Sequence, residues 1–104
     1  IPVASLRDLG GTKVAVVTQR AEAKDYIDVH ALIAAGITLP EMLASASAIY
    51  EGEFSPLVAL KALAYHDDLH DLSAGARRDL ISAIKAVDLH RLPAILPYRR
   101  RPAR

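Results

Sequence analysis

The stretch Thr38-Leu39-Pro40-Glu41, continuing through Met42-Leu43-Ala44-Ser45-Ala46-Ser47-Ala48-Ile49-Tyr50, decides the fold. Thr38 is an N-cap residue and Glu41, three positions on, is its capping-box partner. Pro40 is tolerated in the first turn, where its missing N–H would have no helical acceptor. The spacing predicts a helix from Thr38 to Tyr50. Downstream, Ser55-Pro56 repeats the cap-then-proline pattern and opens a helix to His66 with Leu57, Leu60, Leu63 and Ala64 on one stripe. A fifth helix starts near Ser73 and presents Leu80, Ile81, Ile84 and Val87. Upstream, Asp25-Tyr26-Ile27-Asp28 signals a helix with Asp25 as N-cap and Asp28 at N3, ending at Gly36. Ser5-Leu6-Arg7-Asp8 has the form of a capping box with Asp in place of Glu. It opens a helix to Gln19 or Arg20, in which Gly10-Gly11 is a weak point. From Leu92 onward, Pro93, Pro97, Pro102 and an arginine cluster oppose further helix. The expectation is an all-α protein: a compact array of about five helices over residues 1–92, then a basic, proline-containing tail over residues 93–104.

Composition agrees and excludes several classes. The 104 residues include 19 Ala and 14 Leu against one Phe and no Trp, which favours helices packed through small side chains over a sheet. The chain has no Cys, which closes disulfide, thiolate-metal and redox chemistry and points to the reducing cytoplasm. No apolar run approaches the roughly 20 residues that a membrane span needs. The first residues, Ile1-Pro2-Val3, show neither an initiator Met nor a targeting pattern, so the chain reads as a fragment or processed piece.

The formal net charge of +1 hides an asymmetry. Arg99, Arg100, Arg101 and Arg104 follow Pro97, leaving residues 1–97 with 9 basic against 12 acidic groups, a difference of −3. Pro-Tyr-Arg-Arg-Arg-Pro-Ala-Arg at the end reads either as a solvated tail or as an arm for phosphates. Tyr98 within it is a weak signal for stacking on a base. On the first helix Lys13 and Arg20 are seven residues apart, about 20° from alignment, sharing a stripe with Leu6, Leu9, Val16 and Val17. On the second, Asp25 and Asp28 continue the stripe of Val29 and Leu32. Charges near a core need partners, so the economical arrangement sets Lys13 and Arg20 against Asp25 and Asp28. Two readings fit: ion pairs and a cap that hold the hairpin together, or the charged wall of a phosphate-handling site. His66 and His70 share one helix face, but without the Glu of H-E-x-x-H they read as a hydrated terminus, and no metal ligand is assigned. His30, among apolar neighbours, is expected to be partly buried and hydrogen-bonded.

Val3-Ala4-Ser5-Leu6-Arg7-Asp8-Leu9-Gly10-Gly11-Thr12-Lys13, followed by Arg20, Lys24-Asp25, Asp28-Val29 and Leu32, resembles the C-terminal half of AbiEii abortive-infection nucleotidyltransferase toxins. The family pattern reads approximately D-L-x-A-x-K, then R-x-x-x-K-D-x-x-D-L. Leu60-Lys61-Ala62-Leu63-Ala64-Tyr65 with Asp67-Asp68 is similar to the helices that follow, so the resemblance covers roughly residues 1–70. It implies that Lys13 contacts the triphosphate or positions substrate. By the same resemblance Asp25 or Asp28 corresponds to the acidic residue of the last active-site motif, with Arg20 and Lys24 beside the phosphates.

Enzymes of this family resemble DNA polymerase β in their catalytic core, where a Gly-Ser turn and a D-x-D pair hold Mg²⁺. The 104 residues contain no such combination. The expectation is a helical C-terminal region, with Ile1–Val3 as the end of an upstream strand and the catalytic half preceding it. Alone it would be inactive; complete, it would transfer a nucleotide from an NTP, with Mg²⁺, to an RNA or protein acceptor. The other reading is a non-enzymatic helical module that docks on a partner, such as an antitoxin, or on a second copy of itself.

Overall fold

The computed structural model describes residues 3–19, 22–64 and 72–94. Five α-helices follow in order: α1 (Val3–Gln19), α2 (Ala23–Ala34), α3 (Leu39–Tyr50), α4 (Pro56–Ala64) and α5 (Ala74–Lys85), then a 3₁₀ turn at Leu89–Arg91. Among the described residues there is no strand. The expected all-α array is what the chain adopts.

The caps written in the sequence act where they were expected in three helices. At α3 the Thr38 hydroxyl accepts from the Glu41 amide at 3.2 Å, and Glu41 Oε1 accepts from the Thr38 amide at 3.2 Å. Ser55 accepts from the Val58 amide ahead of α4, and Ser73 from the Ala76 amide ahead of α5. At the end of α2, Gly36 takes φ +99°, a conformation open to glycine, and the Gly36 and Ile37 amides return to the carbonyls of Ile33 and Leu32. That Schellman closure turns the chain from α2 directly into the Thr38 cap.

Two caps differ from expectation. α1 already begins at Val3, so Ser5 lies inside the helix, and Val3 is helical rather than the end of a strand. The Asp8 carboxylate accepts instead from Ser45 Oγ of α3 at 2.9 Å. α2 begins at Ala23 with Glu22 at its N-cap, which places Asp25 at N3. The first turn is therefore made earlier than the Asp25 signal suggested.

The core joins Val14 and Val17 of α1 to Tyr26, Val29 and Leu32 of α2, with Met42, Leu43 and Ala46 of α3, Ala59 and Leu63 of α4, and Leu80 of α5. Helix α1 lies mainly on α3 and also touches α2 and α4, while α5 rests on α2 and α4. The rotation of α1 departs from the predicted stripe. Leu9 is 46% exposed, and the buried face carries Gly10, Gly11, Val14 and Val17. The glycines predicted as a weak point are the contact itself. A Cβ on Gly10 would stand 2.6 Å from Met42 Cγ, and one on Gly11 2.8 Å from the Ala46 amide nitrogen. The entropy that Gly11 loses in a helix is offset by backbone contact that no larger residue permits, while Gly10 makes room for the Met42 side chain. Helix α4 is also rotated from its predicted stripe: Ala59 and Leu63 face inward, leaving Leu57 half exposed. On α5 Leu80 is buried as expected, with Ile81 and Ile84 half-buried, and Val87 follows the helix end.

Candidate functional site

Of the charge pairing expected between the first two helices, Lys13 with Asp28 forms. Lys13 sits on the flank of α1 beside the Gly11–Val14 core face, and Asp28 sits one turn into α2. Lys13 Nζ lies 2.9 Å from Asp28 Oδ2, with the two side chains 30% and 45% exposed. Together with Leu9, Ala31 and Leu32 they line an open groove of about 350 Å³ between α1 and α2. The pair stands at the water boundary over an apolar floor, so Lys13 is a compact cation that an anionic group can reach from solvent.

Asp25 is a turn earlier on α2 and is 1% exposed. Its position in the first turn suits a carboxylate, because the unpaired amides of a helix N-terminus carry partial positive charge. Burial and exposure thus separate the two acids that the sequence treated alike. Lys24 faces water at 64% side-chain exposure, with Nζ 3.6 Å from Glu22 Oε2, so it pairs locally rather than with the Lys13–Asp28 site. Arg20 falls outside the described residues, as do His66, Asp67, Asp68, His70, Tyr98 and the tail arginines.

The donor set does not make a Mg²⁺ seat. Of the two acids near the groove one is enclosed within the helix packing and the other is engaged by Lys13. Among the described residues no three carboxylate or imidazole groups converge. Metal-dependent steps are therefore not assigned to these residues.

Three polar links escaped the sequence reading. Arg7 Nε donates to Glu41 Oε2 at 2.6 Å, tying the start of α1 to the cap of α3. Burial pushes the Glu41 carboxyl up, but the Thr38 amide, the Arg7 guanidinium and the Thr38 hydroxyl outweigh it and hold the group below its ordinary value. Ser45 donates to Asp8 across the same helix pair, and Tyr26 Oη donates to the Ala62 carbonyl at 2.9 Å, joining α2 to α4. Only alternation of Ala and Ser along α3 hinted at a partner that approaches closely. His30 is partly buried, as expected, and Nε2 lies 3.1 Å from Asp79 Oδ2 of α5. No single helix among the described residues is long and apolar enough to cross a membrane.

The family model for "Nucleotidyl transferase AbiEii toxin, Type IV TA system" matches residues 1–94, further along the chain than the 70 residues of the expected resemblance. No curated protein and no solved structure matches the chain.

Proposed function

We propose, from the premise that the chain belongs to the AbiEii nucleotidyl transferase toxin family, that residues 1–94 are the helical C-terminal part of such an enzyme. Their α1–α2 groove forms one wall of its active site. The observation that carries this reading is the Lys13–Asp28 pair, 2.9 Å apart and open to solvent at the mouth of the groove. In the complete protein an NTP phosphate competes with Asp28 for the Lys13 ammonium, and Asp28 holds that ammonium in place until the phosphate arrives. Asp25 sets the first turn of α2 and so the direction in which Asp28 projects. Arg20 and Lys24 are assigned to the phosphates by resemblance. Mg²⁺ would be held by carboxylates of the preceding catalytic half, where it supplies charge stabilisation to nucleotide transfer. The acceptor is an RNA or a protein, the partner an antitoxin, and the compartment the cytoplasm.

The experiment is nucleotide transfer by the full-length protein carrying Lys13→Ala or Asp28→Ala, with unfolding curves recorded beside it. We expect transfer to fall at least about tenfold, the scale of one charge-assisted contact, in protein as stable as the parent. Unchanged transfer in both variants overturns the site.

A second reading has its own observation. Leu9 and Ile27, 46% and 45% exposed, lie on α1 and α2, and would suit a docking face on a partner protein or second copy. Sedimentation separates the two: a monomer at all concentrations removes self-association.

A further inference from the structure

Ser45 stands in the middle of α3 and is fully buried. A hydroxyl in such a place costs free energy unless it is bonded, and its bond leaves the helix: Oγ donates to Asp8 Oδ1 of α1 at 2.9 Å. Ser47, two residues on, takes the local alternative, with Oγ donating to the Leu43 carbonyl of its own helix at 3.0 Å. The Ser45 bond lies beside the close approach of the two helices. A Cβ on Gly11 would stand 3.0 Å from Ser45 Oγ and 2.8 Å from the Ala46 amide nitrogen.

The rotation of a packed helix is ordinarily fixed by ridges of side chains set into the grooves of its neighbour. At Gly11 α1 has no side chain to set into α3, so a directional bond carries more of that constraint. Ser45 with Asp8 supplies it, and Arg7 Nε on Glu41 Oε2 adds a second bond between the same helices. Lys13 is five residues after Asp8 on α1, and its Nζ reaches across to Asp28 Oδ2 of α2 at 2.9 Å. At the roughly 5–6 Å radius of a helix with its side chains, a turn of about 10° moves a side-chain end by about 1 Å. A displacement of that size carries a charge-assisted contact out of hydrogen-bond range. We infer that Ser45 is a positioning residue: through Asp8 it fixes the rotation of α1, and so the place from which the Lys13 ammonium meets a phosphate. This role rests on the assignment of Lys13 to an NTP phosphate.

The test is a double-mutant cycle in the full-length protein, read as kcat and KM for the NTP beside unfolding curves. Ser45→Ala removes the hydroxyl and keeps the backbone packing. It is expected to lower kcat/KM about three- to tenfold, mostly through KM, the scale of one hydrogen bond. In protein that already carries Lys13→Ala the same substitution should lower it no further, because the group being positioned is gone. Ser47→Ala, which breaks a bond within α3 alone, should leave transfer as in the parent. In NMR spectra of the 104-residue chain, Ser45→Ala should move the Lys13 Nζ and Asp28 carboxyl resonances, whereas Ser47→Ala should not. Transfer that falls with Lys13→Ala but not with Ser45→Ala overturns the inference and leaves the Lys13 assignment standing. A further fall from Ser45→Ala in the Lys13→Ala background, or an equal fall from Ser47→Ala, overturns it by showing a general effect on the fold. Lys13→Ala without effect overturns the Lys13 assignment itself, and the positioning role with it.

Discussion

A side chain on Gly11 would run into the backbone of Ala46: a Cβ there lies 2.8 Å from the Ala46 amide nitrogen, and 3.0 Å from Ser45 Oγ. Helices α1 and α3 meet at this point, and the Asp8–Ser45 and Arg7–Glu41 bonds close over it.

Gly11→Ala is therefore expected to destabilise. Overpacking against backbone costs about 1–3 kcal/mol, reduced by the helix propensity that alanine gains. Gly10→Ala meets only the flexible Met42 side chain and should cost less. Urea midpoints of the two variants give the order, and a Gly11→Ala protein as stable as Gly10→Ala would contradict it.

Tyr26→Phe removes the hydroxyl that reaches the Ala62 carbonyl while keeping the buried ring. The expected loss is about 1 kcal/mol, since one net hydrogen bond disappears without a cavity. Denaturant unfolding at unchanged m-value checks it.

Glu41 gives the fold a sensitivity to acid. Its carboxyl titrates lower in the folded chain than in the unfolded one, so the charged form is what folding favours. The stabilisation is complete above the ordinary carboxylate range and disappears as pH falls through the lowered folded value. Glu41→Gln should flatten the acid limb of a stability–pH profile and leave its neutral region parallel to the parent. An unchanged limb would show that other carboxyls dominate there.

Asp25→Ala and Asp28→Ala should separate in stability although they are one turn apart. Asp28 is half exposed and its removal should cost below about 1 kcal/mol. Asp25 is enclosed in the first turn of α2, and truncating it should cost about 1–3 kcal/mol. A thermal melt of each variant reports this directly. Loss of activity in the Asp28 variant is then chemical, whereas in the Asp25 variant it includes loss of fold.

What the sequence by itself determined was local. Thr38 with Glu41, Ser55, Ser73 and Gly36 acted as cap or stop because those contacts lie within a few residues of one backbone. The existence of five helices followed, as did the charge pattern that set Lys13 against Asp28. What only the tertiary structure decided was rotation. Leu9 and Leu57 outrank Gly10, Gly11 and Ala59 on any hydrophobic scale, yet the smaller residues face inward, and at Gly11 the partner helix comes so close that a Cβ would meet the Ala46 backbone. The Ser5 cap and Asp25 cap misled for a related reason: Asp8 finds Ser45 on another helix, and Asp25 is enclosed in the first turn of a helix that already starts at Ala23. Lys24 reads as a neighbour of Asp25 along the chain, but turns to Glu22 in water. Short-range hydrogen bonding is written in neighbouring residues, whereas which face of a helix is buried depends on the shape of whatever packs across it.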